Sequence, residues 1–251
     1  MREVTPRERM VLAAARRIRD GEIVFCGTGI SMIAAMAAKR IHARSSVIFF
    51  ETGAIDSRLE ELPLSVGDPR VVTGASVGTG LVDSFAILQN PRTASRVVAV
   101  LGAAQIDPYG NLNSTCIGDY ARPKVRFPGS GGASDAAVYA ARTIIFMRLE
   151  KRRFVERLDY FSTPGWRNPG GEPSLAHGRP EVVITDEGTF MFNESSRRMY
   201  LASYFPGSSP ESIEDKVGFD IDTGRAVEEP SPAHESVDLL RKHIDPQHLI
   251  L

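Results

Sequence analysis

Apolar residues fall into two alternating patterns along this chain. Strand-like runs stand at Glu22-Ile-Val-Phe-Cys26, Val47-Ile-Phe-Phe50, Val97-Val-Ala-Val-Leu101 and Arg142-Thr-Ile-Ile-Phe-Met147. Runs this short and this apolar predict strands buried on both faces, the pattern of a parallel sheet. Between them the apolar positions recur at helical spacing. Thr5-Pro6-Arg7-Glu8 opens a helix with a capping Thr, Pro at its first position and Glu three after the Thr, and Met10, Val11, Ala14 and Ile18 share one face. An Ala/Met-rich helix runs to about Arg40, and further helices are predicted over Leu81–Gln89, Ala133–Ala141 and the charged stretch Glu150–Leu158, from Ser209-Pro210-Glu211, and near the end up to His243. Pro69–Thr73 predicts a short edge strand, Glu181–Thr185 with Met191–Asn193 a hairpin, and Met199–Tyr204 a further strand. Strand, glycine loop, helix and strand from Glu22 to Phe50 make a βαβ unit with a right-handed crossover.

This order places the chain in the α/β class. Its 251 residues fit one large domain or two small ones. A net charge of −1 gives no field to attract nucleic acid or an anionic membrane. No stretch approaches the roughly 20 apolar residues of a membrane span, and the charged first ten residues lack an apolar signal core, so a cytoplasmic protein is expected. Cys26 and Cys116 lie far apart without metal spacing, and are expected to be buried free thiols. The five histidines show no ligand spacing, and no metal is expected.

Candidate chemistry gathers where apolar runs end. Val47–Phe50 runs straight into Glu51, with Gly53 two positions on. Buried parallel strands present ligands at their carboxyl ends, and glycine permits a sharp turn or a close approach. Glu51 is therefore a carboxylate on a strand tip, or else a cap for a following helix or a solvated side chain. Gly27-Thr28-Gly29 aims backbone amides at a helix start, a natural anion site or a plain tight turn. It is not a dinucleotide fingerprint, because Met32 stands where a third glycine belongs. Gly102–Thr115 concentrates amides, hydroxyls and turn residues after a core strand. Gly129-Ser-Gly131-Gly132 can turn N–H groups toward one point, a nest for an anion or a developing oxyanion. The Gly/Pro/Asn-rich loop from Thr163 to Pro173 suits a lid or a partner contact.

Taken in order, Gly27-Thr-Gly29, Glu51-Thr-Gly53, Gly102-Ala-Ala-Gln105-Ile-Asp107-Pro-Tyr-Gly110-Asn111, Gly129-Ser-Gly131-Gly132-Ala-Ser-Asp135, Lys151–Tyr160, Ser162-Thr-Pro-Gly165, Val182–Asp186, Tyr204-Phe-Pro-Gly207 and Val217-Gly-Phe219 resemble the β subunit of family I CoA-transferases, the glutaconate type in particular. The resemblance covers nearly the whole chain. It implies a single domain over residues 1–251, an open mostly parallel sheet flanked by helices, and a separate α subunit as partner. The implied reaction moves CoA between an acyl-CoA and a carboxylic acid, with the CoA thioester as substrate and no permanently bound cofactor. Glu51 maps to the family's nucleophile. Gly131 and Gly132 amides become the candidate oxyanion donors, and Gln105 the residue that orients the carboxylate or thioester carbonyl. Gly27, Thr28, Gly29, Gly53, Asn111 and Gly129 are the candidate CoA contacts. Val217 replaces a usual Thr, and Asp56 stands where the glutaconate type often has Gly. Rival expectations are a ring-opening acyl-CoA hydrolase or a decarboxylase of the same fold, and a non-catalytic ligand-binding subunit.

Overall fold

The computed structural model describes residues 3–251. The chain forms two compact units, one running to Leu101 and resuming at Ser231, the other Gly102–Pro230. In the first, α1 (Pro6–Ala15) begins with the predicted capping box between Thr5 and Glu8. Strand β1 (Ile23–Cys26) is fully buried, and α2 (Ile30–Ile41) returns the chain to β2 (Val47–Phe49). β1 pairs in parallel with β2 on one side and with β5 (Val97–Gly102) on the other. The alanines of α2 let it pack closely between strands and α1, and Met32 through Ala38 are buried without interruption. The helix at His234–Leu239 returns to pack on α2.

Beyond β2 the pairing turns antiparallel, through β3 (Ala54–Ile55) to β4 (Val77–Gly78). The predicted edge strand at Pro69–Thr73 is instead a 3-10 turn over Pro69–Val72. Pro69 fixes the first position, and the Asp68 carboxylate caps the turn by accepting from the Arg70 N–H at 3.0 Å. Helix α3 (Leu81–Gln89) ends where Asn90-Pro91 predicts, and a short α4 (Pro91–Ala94) precedes β5.

The second unit opens with two small antiparallel pairs, β6 (Gln105–Ile106) with β7 (Leu112–Asn113) and β8 (Cys116–Ile117) with β9 (Val125–Arg126). Helix α5 (Ala133–Tyr139) then leads to β10 (Arg142–Phe146). β10 pairs in parallel with β11 (Pro180–Ile184), and β12 (Gly188–Phe192) and β13 (Met199–Tyr204) extend the sheet antiparallel, the hairpin the sequence predicts. Helix α6 (Pro210–Glu214) carries a capping box from Ser209. Strand β14 (Val227–Glu228) pairs in parallel with β13.

The predicted helix over Glu150–Leu158 does not form. Glu150 starts a single turn, and the chain then bridges Ile106 through Phe154 and Gly218 through Val155. Phe154 is wholly buried against Phe190 and Phe219, so tertiary burial of one aromatic overrides the local helical pattern. The α/β class and the mostly parallel sheet flanked by helices are those the sequence predicts, with antiparallel hairpins added. Cys26 and Cys116 are both free and buried, and burial pushes the Cys26 thiol up to about 12. Among the described residues no helix is long and apolar enough to cross a membrane.

Candidate active site

Glu51 lies at the tip of a hairpin that begins on a parallel strand. The Phe50 carbonyl accepts from the Gly53 N–H at 3.0 Å, closing a four-residue turn around Glu51 and Thr52, and the Phe50 N–H donates to the Ala54 carbonyl at 3.0 Å. No helix follows Glu51; the chain goes straight into β3. The helix-capping reading therefore does not hold. Gly53 has φ +95°, and a Cβ placed there would lie 1.9 Å from the Thr79 carbonyl oxygen. Only glycine lets the Thr79 N–H reach the Gly53 carbonyl at 2.9 Å. From α3 the buried Ser84 hydroxyl donates to the Phe50 carbonyl at 3.0 Å. The turn is thus tied to its own strand, to β4 and to α3, at about 1 kcal/mol per bond.

On this fixed mount the Glu51 side chain is half-buried. Its carboxylate has no ion pair or hydrogen bond with any described residue. The backbone of Glu51 is thus heavily tied while its carboxylate oxygens are not. Five residues on, Asp56 has φ +53°, the left-handed region that favours glycine, and its carboxylate pairs with Lys39. Asp tolerates that region better than most residues that carry a Cβ.

Gly27, Thr28 and Gly29 leave β1 at the carboxyl edge from which Phe50 and Glu51 leave the parallel β2. Gly29 is the N-cap of α2 and has no side-chain cap, so first-turn amides stay open toward that edge. Ser31 turns back to donate to the Gly27 carbonyl at 3.0 Å.

In the second unit Gln105 is 4% exposed. Its oxygen accepts from Asn113 Nδ2 at 2.7 Å and from the Asp159 N–H at 3.1 Å, and its Nε2 donates to Asp159 Oδ2 at 2.6 Å. Asn113 also holds the next turn, accepting from the Thr115 N–H at 2.9 Å and donating to the Cys116 carbonyl at 2.7 Å. No local pattern marks Asn113 or Asp159 as site residues, although one lies in the Gly102–Thr115 loop and the other in the Lys151–Tyr160 stretch. Asn111 is sealed inside the unit. Its amide donates to Asp107 Oδ2 at 2.6 Å and to the Arg167 carbonyl at 2.7 Å, and its oxygen accepts from the Gly165 N–H at 2.7 Å. With both hydrogens and the oxygen committed, it staples two loops together and offers no polar atom to a ligand. Asp107, which also accepts from the N–H groups of Tyr109 and Asn111, is pushed up to about 6 by burial.

The glycine nest is joined to this network through Ser114, whose carbonyl accepts from the Gly129 N–H at 3.0 Å. Gly129 and Gly131 have φ of +99° and +50°, and open space lies where their Cβ atoms would stand. Gly132 is the N-cap of α5. Neither the Gly131 nor the Gly132 N–H donates to a described residue.

Comparison with known proteins bears on the chain as a whole. Residues 7–216 match the family model described as Coenzyme A transferase. The β subunit of glutaconate CoA-transferase from Acidaminococcus fermentans is 44% identical over 248 residues, covering 96% of this chain and 93% of that protein. The β subunit of 3-oxoadipate CoA-transferase from Pseudomonas knackmussii is 34% identical over 241 residues, covering 93% and 91%. The crystal structure of glutaconate coenzyme A-transferase from Acidaminococcus fermentans superposes with a TM-score of 0.93 at 41% identity, over 99% of this chain and 97% of the other. With a family match over most of its length and two such relatives, this chain belongs to the coenzyme A transferase family.

Proposed function

We propose that the chain is the β subunit of a CoA-transferase that works with an α subunit, and that Glu51 is the covalent nucleophile. The observation that carries this reading is the unpartnered Glu51 carboxylate on a turn tied by four hydrogen bonds. Carboxylates are ionised at neutral pH and attack without a general base, unlike Ser or Cys. Their weak nucleophilicity is offset by positioning, which can supply on the order of 7–11 kcal/mol.

The chemistry balances without any oxidant or metal. A Glu51 oxygen attacks the thioester carbonyl, and the tetrahedral oxyanion collapses by expelling CoA thiolate, leaving an acyl–glutamyl anhydride. The thiolate attacks the glutamyl carbonyl of that anhydride and releases the donor acid, leaving a glutamyl-CoA thioester. An acceptor carboxylate attacks this thioester and expels the thiolate again. The thiolate then attacks the acceptor's acyl carbon, which returns a new acyl-CoA and free Glu51. The open N–H groups of Gly131 and Gly132 are the proposed oxyanion donors, each worth about 3–4 kcal/mol where such donors have been removed. The open amides of Gly27–Gly29 suit an anionic group of the substrate. Gln105, engaged on Asn113 and Asp159, acts as a brace for the loop that carries the nest, and Asn111 and Gly53 support the backbone around them.

The test is transfer itself. Co-expressed with its α subunit, the protein should move CoA between an acyl-CoA and a free acid with ping-pong kinetics. Glu51→Ala should leave the fold intact, since the side chain holds nothing in place, and should abolish transfer. Water rather than an acid as the acceptor, or loss of carbon dioxide from the acyl group, would mark a hydrolase or a decarboxylase instead.

A further inference from the structure

The glycine nest has few holds on the rest of its unit. Among the described residues, two hydrogen bonds join residues 127–132 to anything beyond themselves and α5. The Phe127 N–H donates to the Thr115 carbonyl at 2.9 Å, and the Gly129 N–H to the Ser114 carbonyl at 3.0 Å. Past them the chain turns over residues 130–133, closed by the Ala133 N–H on the Ser130 carbonyl at 2.9 Å. The Gly131 and Gly132 amides lie in that turn. Its glycines bring no side chain to wedge the stretch in place, so the direction of these amides depends on Ser114 and Thr115.

Among the described residues, one side chain from outside their loop holds those two, that of Ser162. Its half-buried hydroxyl accepts from the Ser114 N–H at 3.0 Å and is hydrogen-bonded to the Thr115 hydroxyl at 2.6 Å. A hydroxyl carries one proton and two acceptor positions, so both contacts form together. The Ser162 backbone is fixed in turn. Its N–H donates to the Leu112 carbonyl at 2.9 Å, and the Leu112 N–H to the Thr163 carbonyl at 2.9 Å. Pro164 keeps Thr163 extended, and the Gly165 N–H is held by the Asn111 side chain at 2.7 Å. A hydroxyl mounted on β7 therefore bears on both carbonyls that hold the nest.

We propose that Ser162 is a positioning residue for the Gly131 and Gly132 amides. This rests on the reading of those amides as oxyanion donors. Ser162 touches no reacting atom; it keeps the Ser114 and Thr115 carbonyls where they aim the nest. A donor that drifts stabilises the developing oxyanion less while binding the thioester nearly as well, so the loss falls on kcat. In the complex with the α subunit, Ser162→Ala should lower kcat on the order of 10-fold with KM unchanged. Ser162→Thr, which keeps the hydroxyl, should restore most of the rate. Thr115→Val should lose about as much as Ser162→Ala, and the double variant little more, because both hydroxyls act along one path. Thr163 supplies the control. Its hydroxyl is buried and meets no polar partner among the described residues, so Thr163→Val should leave both constants alone.

Hydrogen exchange followed by mass spectrometry reads the cause. A peptide over residues 125–133 should exchange about tenfold faster in Ser162→Ala than in the wild type, with peptides of β11 and β12 unchanged. A merely structural role would speed exchange throughout the unit, or lower the melting temperature with kcat intact. Full kcat in Ser162→Ala, beside a wild type whose Glu51 loads during turnover, overturns the assignment and leaves the Glu51 reading standing. A fall in kcat without faster exchange over residues 125–133 overturns it as well. A wild-type complex that transfers no CoA would sink the functional reading and this proposal together.

Discussion

The Ser84 hydroxyl donates a 3.0 Å hydrogen bond to the carbonyl of Phe50, the residue immediately before Glu51. Ser84 lies in a helix 34 positions from that carbonyl and touches no part of the carboxylate. Ser84→Ala removes one of the ties on the turn and leaves the Gly53 N–H as the carbonyl's remaining donor. Stability should drop by about 1 kcal/mol. A merely structural role ends there. As a positioning residue, Ser84 should also lower kcat about tenfold with KM unchanged, because a small displacement of a nucleophile costs rate rather than binding. Steady-state kinetics beside a melting curve separate the two.

Two glycines with nearly equal φ should respond very differently to alanine. At Gly53 the new methyl would lie 1.9 Å from backbone, while at Gly129 nothing stands within 4 Å. Gly129→Ala bears only the cost of the left-handed conformation, about 1–2 kcal/mol. Gly53→Ala must also force β3 and β4 apart, and should cost about 3 kcal/mol or more. Denaturant midpoints of the two variants, read side by side, give the comparison.

Glu8 is 3% exposed and bonds the Arg241 guanidinium twice, at 2.5 and 2.8 Å. Burial alone raises its carboxyl, but Arg241 and the Thr5 cap outweigh that and hold it below the ordinary range. A depressed carboxyl contributes stability present above its unfolded pKa and lost as pH falls through the folded value. Arg241→Ala strands a buried charge and should cost about 3 kcal/mol at pH 7. In that variant the sign reverses, and mild acid should narrow its deficit against the wild type. Urea unfolding at pH 7 and pH 4.5 measures both.

Asp107 moves the other way. Its folded pKa, pushed up to about 6 by burial, exceeds the ordinary value of 3.8. The folded state therefore binds the proton more tightly, and this group's stabilisation is full below about 3.8 and lost as pH rises through about 6. Asp107→Asn should erase that step from a plot of unfolding free energy against pH between 4 and 7.

Local chemistry explains what could be read in advance. An apolar run ending in Glu51 and Gly53 marked a strand tip, and Thr5-Pro6-Arg7-Glu8 marked a helix start, because each signal lies within a few residues. The partners that hold the site do not. Gln105 and Asp159 stand 54 positions apart, and Ser84 finds Phe50 across 34, so no spacing rule reveals them. Glu150–Leu158 misled for the opposite reason. Its local pattern suits a helix, but Phe154 is drawn into a core formed by residues far along the chain. Pro69–Thr73 failed on a single side chain, the Asp68 cap that turns two valines from a strand into a 3-10 turn.

Whether Glu51 becomes covalently loaded is open to direct measurement. The complex of this chain with its α subunit is incubated with acyl-CoA, reduced with borohydride, digested and examined by mass spectrometry. A glutamyl-CoA thioester is reduced at its carbonyl, so the Glu51 carboxyl should appear as a primary alcohol, only when acyl-CoA was present and in step with lost activity. An unaltered Glu51 peptide from a complex that is turning over, together with undiminished transfer by Glu51→Ala, would contradict it.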